Sequence, residues 1–314
     1  MTIAIIDMGT NTFHLLVSSV REGTFTSIYQ ERITVRIGAN GISDGIINEE
    51  AATRAINALK LFRLKIDEIG VDQIFATASS AIRCAENGME LVQRIKDETG
   101  IKTRIITGDE EAESIYYGVK KALDLGDEIS LIMDVGGGSI EFILGNSHEI
   151  FWKGSYEMGG QRLLDQFHKN DPMKSDEIQK LNNYINETLQ PLFEASKHFN
   201  PQTLIGSSGT FDSLSDIFRL RNNISEVKLG TEFPLTVDGF ISIYHDLLHK
   251  SREERLQIPG MIEMRVDMIV VASILVKYII DKIGIQNIRV SAYALKEGIL
   301  FSTIDSLEFD SNLA

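Results

Sequence analysis

Cysteine is almost missing. Cys84 is the only one in the 314 residues, which excludes an internal disulfide framework and fits a reducing compartment. With no histidine close by in sequence to activate it, Cys84 reads as a buried or otherwise inert thiol. Cations are also scarce: 31 Lys and Arg face 45 Asp and Glu, a formal net charge of −14. General nucleic-acid and membrane-surface binders carry excess positive charge, so neither partner is expected, and a polyanionic substrate must be met by local cations or a bound metal. Long apolar runs are lacking too. The most apolar stretch, Met268 to Ile280, is interrupted by Lys277 and falls short of the roughly 20 residues of a spanning helix, so a buried core helix is predicted there. Met1 to Ile5 enters a strand directly, without the basic start and apolar core of a leader, and a cytoplasmic location is expected. The five prolines all lie between 172 and 259, which places irregular insertions in the second half and leaves the first half compact.

Two stretches repeat one pattern. Ile5 to Val17 and Ile132 to Leu144 each run from an apolar strand into an aspartate, Asp7 or Asp134, and turn through glycines and hydroxyls. Each then leaves as a second apolar strand. Both are predicted as β-hairpins whose tips offer backbone N–H groups, hydroxyls and a carboxylate, a suitable cradle for phosphate and metal. The candidate tip residues are Gly9, Thr10, Asn11 and Thr12 in the first, and Gly136, Gly137, Gly138 and Ser139 in the second. Three successive glycines let backbone approach an anion without Cβ clashes, while Asp134 and Glu141 are hard oxygen ligands suited to Mg²⁺. A dinucleotide fingerprint is excluded, because Ile140 to Leu144 is a short β-rich run where a helix would have to start. The repeat implies a duplicated half, with the two tips facing across a cleft.

Strands are predicted at about 3–7, 13–20 and 24–37, a helix at 49–69, a strand at 74–76, and a helix at 88–99 entered through an Asn87/Glu90 capping box. A strand at 102–106 and a helix at 108–123 complete the first half. Asp124 to Glu128 reads as the linker, after which strands at 129–134, 139–145 and 149–157 restart the pattern. Helices near 160–168 and 175–198, the latter interrupted or kinked at Pro191, precede a strand at 204–205. The expected domains are therefore 1–123 and 124–295, with a C-terminal helix at about 296–314 packing back on the first. This is an α/β layer architecture.

Other constellations remain. In Thr107 to Glu113, Thr107 and Glu110 form a capping box, which explains Glu110 but not Glu111. Glu111 either complements the positive helix end or projects a carboxylate that takes a proton from an attacking water. Arg83, after a strand and a loop, is either a phosphate clamp or a surface ion pair. Gly206 to Thr210, containing Ser208, Gly209 and Thr210, follows a strand and either offers N–H groups to phosphate or caps a helix. His245 and His249 have the spacing of a zinc helix, but aspartate stands where glutamate is needed, and an amphipathic helix face is expected.

Taken in order, these motifs resemble the exopolyphosphatase and guanosine pentaphosphate phosphohydrolase (Ppx/GppA) family, in a short two-domain form. The resemblance covers nearly the whole chain: Asp7 to His14, Ala78 to Asn87 with Arg83, Gly108 to Ala112, Asp134 to Glu141, Gly206 to Thr210, and Pro259-Gly260 with Arg265 and Asp267. It implies two duplicated ribonuclease H-like domains of the actin, hexokinase and Hsp70 ATPase superfamily around a central cleft. It further implies Glu111 as general base, Asp134 and Glu141 with Asp7 around an essential Mg²⁺, and Asn11, Arg83 and the glycine turns on the phosphates. Lys296, where the family usually has arginine, cannot give a bidentate arginine contact. The implied activity is release of terminal orthophosphate from inorganic polyphosphate, with guanosine pentaphosphate as alternative substrate. A kinase or a non-catalytic nucleotide sensor is a further option on the same superfold. Polyphosphate or a guanosine polyphosphate is the expected partner, and a homodimer is compatible with the family.

Overall fold

The computed structural model of the chain describes residues 1–21, 24–38, 45–225 and 230–311. The backbone divides into two compact units, Met1–Gly118 with the C-terminal segment from Leu295, and Val119–Ala294. In the first unit, β1 (Thr2–Met8), β2 (Thr12–Arg21) and β3 (Thr24–Thr34) form an antiparallel meander. Next come α1 (Glu49–Ile69), β4 (Gln73–Ala78), α2 (Ser80–Arg83), α3 (Gly88–Thr99), β5 (Thr103–Ile105) and α4 (Gly108–Ala122). The sheet order is β3-β2-β1-β4-β5, with β4 parallel to β1 and β5 parallel to β4. Burial follows this order. Ile3 to Ile6 of central β1 are wholly buried, whereas β3 at the edge alternates polar and half-buried positions, the pattern of a strand with one solvated face. Ala51, Ala55, Leu59, Phe62 and Ile66 recur at helical spacing on α1 and pack into this unit's core, and Gly70 ends the helix at φ 75.

The second unit repeats the plan. β6 (Ser130–Val135), β7 (Ile140–Gly145) and β8 (Ile150–Tyr156) form the meander, followed by α5 (Gly160–Phe167), α6 (Ser175–Thr188), α7 (Gln190–Phe199), β9 (Thr203–Ser207) and α8 (Ser208–Arg221). Then come β10 (Glu232–Phe233), α9 (Val237–His249), α10 (Arg252–Leu256), α11 (Met268–Ile283) and β11 (Asn287–Ser291). Its order, β10-β11-β9-β6-β7-β8, contains β8-β7-β6-β9-β11, the counterpart of the first sheet with β10 added at the edge. Both sheets thus have the ribonuclease H-like arrangement of three antiparallel strands continued by two parallel ones. α11, almost wholly apolar from Met268 to Val276, is the core helix expected from its composition and packs on α5, α6, α7 and α9. Among the described residues no helix is long and apolar enough to cross a membrane.

α12 (Leu295–Ser311) belongs to the first unit, where it packs on β1 and β2. Gly298 lets it approach α4: a Cβ there would lie 1.7 Å from the Ser114 carbonyl oxygen.

Two local expectations need correction. Asn87 stands at the N-cap of α3, but its side chain makes no cap hydrogen bond; the amide instead exchanges hydrogen bonds with the backbone of Ile47, at 3.0 and 2.8 Å, and so ties two loops together. Of the two alternatives at Pro191 the interruption is found: 175–198 divides into α6 and α7, because Pro191 cannot donate into a continuing helix and instead sits in the first turn of α7. Cys84 is exposed, not buried, at the end of α2.

Candidate active site

The two hairpin tips are built alike. In the first, Asp7 stands opposite His14 and Met8 opposite Phe13, and the turn closes with the Gly9 N–H donating to the Thr12 carbonyl at 3.2 Å. In the second, Asp134 stands opposite Glu141 and Val135 opposite Ile140, and the Gly136 N–H donates to the Ser139 carbonyl at 3.1 Å. A Cβ at Gly9 or at Gly136 would sit 3.1 or 3.0 Å from the acceptor carbonyl, so the glycines keep both turns tight.

Asp134 and Glu141 form the most unusual pair. Directly opposed residues of antiparallel strands share one face with Cβ atoms roughly 5 Å apart, where like charges repel. Here both are carboxylates, 5% and 1% exposed. Serine hydroxyls surround them: Ser207 and Ser208 donate to Asp134 Oδ2 at 2.7 and 2.6 Å, and Ser155 donates to Glu141 Oε1 at 2.7 Å. This donor set of hard oxygens and concentrated negative charge fits Mg²⁺, which takes one or two carboxylates and keeps water and phosphate oxygens as its other ligands. Among the described residues no group of three or more His, Cys, Asp or Glu side chains is arranged to hold a metal ion. The fold brings Asp134 and Glu141 together within one unit, whereas Asp7 belongs to the other. His245 and His249 stack at 6.2 Å on α9.

The Gly206–Thr210 turn joins β9 to α8 beside Asp134. Ser208 adopts φ 63, a left-handed conformation that costs a non-glycine residue about 1–2 kcal/mol, while its hydroxyl holds Asp134. The Thr210 hydroxyl donates to the Val135 carbonyl at 3.2 Å, which ties α8 to β6. Gly209 carries Arg265. A Cβ at this glycine would be 1.6 Å from the Arg265 Nη2, so the guanidinium lies directly against the turn. Arg265 was legible only as part of the Pro259 to Asp267 motif and was not among the expected site residues. The neighbouring Val266 is anchored by the fully buried Arg255, whose Nε donates to the Val266 carbonyl at 3.0 Å and whose Nη1 donates to Asp171 at 2.7 Å. Burial pushes the Asp171 carboxyl up, but hydrogen bonds from Arg255 and the Arg252 amide prevail and hold it below the usual carboxylate range.

In the first unit, α4 begins with the expected capping box. The Thr107 amide donates to Glu110 Oε2 at 2.8 Å, and the Glu110 amide donates back to the Thr107 hydroxyl at 3.2 Å. The Thr107 amide, chiefly, holds the Glu110 carboxyl below its ordinary value. The next residue, Glu111, falls on the buried face with Ala112, Ile115 and Val119 and is only 6% exposed. An acid at such a position needs a partner. Arg83, reaching from α2, supplies one: its Nη1 donates to Glu111 Oε2 at 2.8 Å and to the Ile106 carbonyl at 3.2 Å. Lys296 lies next in sequence to Glu297, and the two form an ion pair at 2.8 Å.

The fold thus defines a protein of two ribonuclease H-like units with matching glycine and hydroxyl tips, a carboxylate pair in the second and a buried glutamate in the first, and its class is that of the phosphoanhydride hydrolases. Residues 16–307 match the Ppx/GppA phosphatase family, and the chain belongs to it. It is similar to the crystal structure of an exopolyphosphatase from Cytophaga hutchinsonii ATCC 33406, at 43% identity over 98% of each chain with a TM-score of 0.94. It is also similar to the Ppx/GppA family member of Aquifex aeolicus, at 25% identity over 98% of each chain with a TM-score of 0.80.

Proposed function

We propose that the protein is an exopolyphosphatase that removes terminal orthophosphate from inorganic polyphosphate. The observation that carries this proposal is Glu111, a carboxylate on the apolar face of α4 fixed by Arg83 at 2.8 Å. A carboxylate held in this way is a group of the kind that accepts a proton from an attacking water. The 43% identity to an exopolyphosphatase favours the same substrate class.

Phosphoryl transfer asks the protein mainly for positioning and charge stabilisation. In the first unit the amides of Asn11 and Thr12 and the guanidinium of Arg83, and in the second the amides of Gly137, Gly138 and Ser139, are the groups suited to phosphate oxygens. Water attacks the terminal phosphorus in line. Its oxygen forms the new P–O bond, Glu111 accepts the proton, and the bridging P–O bond breaks with its electrons going to the shortened chain. Asp134 and Glu141 would hold Mg²⁺, which supplies neutralisation of negative charge on the phosphate oxygens.

The test is orthophosphate release from polyphosphate and, in parallel, from guanosine pentaphosphate. Release from polyphosphate by the wild type, and its collapse in Glu111→Gln, is expected. Release only from guanosine pentaphosphate would overturn the substrate assignment.

A further inference from the structure

In each unit the segment that follows the third strand is hydrogen-bonded to the back of the hairpin tip. In the second unit this segment is Gly159–Arg162, the entry to α5. Gly160 donates to the Gly136 carbonyl at 2.8 Å, Gln161 to the Gly137 carbonyl at 2.9 Å, and Gly159 to the Gly138 carbonyl at 2.9 Å. Arg162 Nε adds a bond to the same Gly138 carbonyl at 3.0 Å. In the first unit the segment is Val35–Gly38, immediately after β3. Val35 and Arg36 both donate to the Asn11 carbonyl at 2.9 Å, and Gly38 donates to the Thr10 carbonyl at 3.3 Å. Arg36 takes φ 49 there, and Arg54 of α1 holds the carbonyls of Val35 and Arg36 at 2.8 and 3.1 Å.

The consequence follows from peptide geometry. A trans peptide points its C=O and its N–H in opposite directions. Fixing the carbonyls of Gly136, Gly137 and Gly138 on one side therefore turns the N–H groups of Gly137, Gly138 and Ser139 to the other. Fixing Thr10 and Asn11 does the same for the N–H groups of Asn11 and Thr12. Successive amides facing one way form an anion-binding nest.

We infer that Gly159–Arg162 and Val35–Gly38 are duplicated positioning elements that set the polarity of the two tips as phosphate nests. This deepens the proposed function, resting on its placement of phosphate at the tips, and adds residues that touch no substrate. Gly159 is a sensitive position in this segment of the second unit. A Cβ there would lie 2.4 Å from the Gly137 carbonyl carbon and 2.5 Å from the Gly138 carbonyl carbon, backbone atoms that must shift to admit it.

The test is amide NMR of the full chain titrated with inorganic phosphate, so that no turnover is needed. In the wild type, the amides of Asn11, Thr12, Gly137, Gly138 and Ser139 are expected to shift. Gly159→Ala loses the response at 137–139 and keeps it at Asn11 and Thr12, whereas Arg54→Met does the reverse. kcat/KM for phosphate release falls about a hundredfold in Gly159→Ala, the loss typical of a disabled oxyanion donor. If Gly159→Ala does not fold, Arg54→Met decides alone. Folded variants with unchanged shifts, or wild-type tip amides indifferent to phosphate, would overturn the inference. Tip amides that respond in a protein releasing phosphate from neither substrate would instead refute the proposed function and leave the nests standing.

Discussion

The ion pair between Arg83 and Glu111 gives the most informative perturbation. Its side chains are 17% and 8% exposed and meet at 2.8 Å. Arg83→Met keeps most of the aliphatic bulk and removes the guanidinium, so the Glu111 carboxylate loses this partner while still buried. Breaking a buried pair on one side costs about 3–5 kcal/mol. Because Arg83 is partly solvated, about 2–3 kcal/mol is the better expectation, including the lost bond to Ile106. Glu111→Gln removes the charge itself. Arg83→Met in that background should therefore cost only about 1 kcal/mol, the worth of an ordinary hydrogen bond. The assay is a double-mutant cycle by urea unfolding, with a coupling energy of about 1–2 kcal/mol expected. If Arg83→Met costs the same in the wild type as in the Glu111→Gln background, the two residues are not coupled and Arg83 does not fix the base.

Gly298→Ala would push a Cβ to 1.7 Å from the Ser114 carbonyl, forcing α12 away from α4; a loss of about 1–3 kcal/mol in urea unfolding is expected. The Glu110 carboxyl is held below its ordinary 4.5 chiefly by the Thr107 amide, so its contribution is present above that pH and disappears as pH falls through the depressed folded value. Glu110→Gln should accordingly be less stable than wild type at neutral pH, with the gap closing in thermal melts as the pH is taken below the ordinary carboxylate range. Asp134→Asn should raise the Mg²⁺ concentration for half-maximal phosphate release by about tenfold or more, while an unchanged Mg²⁺ titration would remove Asp134 from the metal site.

Much of the fold was legible because its signals are local. Apolar runs ending in Asp7-Met8-Gly9 and Asp134-Val135-Gly136 announce hairpins from composition alone, and their recurrence announces the duplication. Thr107 and Glu110 announce the start of α4 by spacing, and the bonds are present. Asn87 shows the limit of such reasoning. Its spacing to Glu90 suits a cap, yet a loop 40 residues earlier in the chain offers its amide both a donor and an acceptor, and that pairing prevails. Glu111 stood out by elimination, but only the helix register shows it among apolar side chains, and only tertiary contact shows Arg83 beside it. The placement of Arg265 against Gly209 and the tip-backing segments were beyond reach because each acts across a long sequence separation. Nothing local to Gly159 says that its hydrogen side must admit Gly137.

The proposed hydrolysis depends on water activated at Glu111. The direct measurement is orthophosphate release from polyphosphate by wild type and by Glu111→Gln, with unfolding curves showing that both are folded. A loss of about 10²–10⁴-fold in kcat is expected for Glu111→Gln, the range supplied by a general base. A folded Glu111→Gln protein within a few-fold of wild type would contradict it.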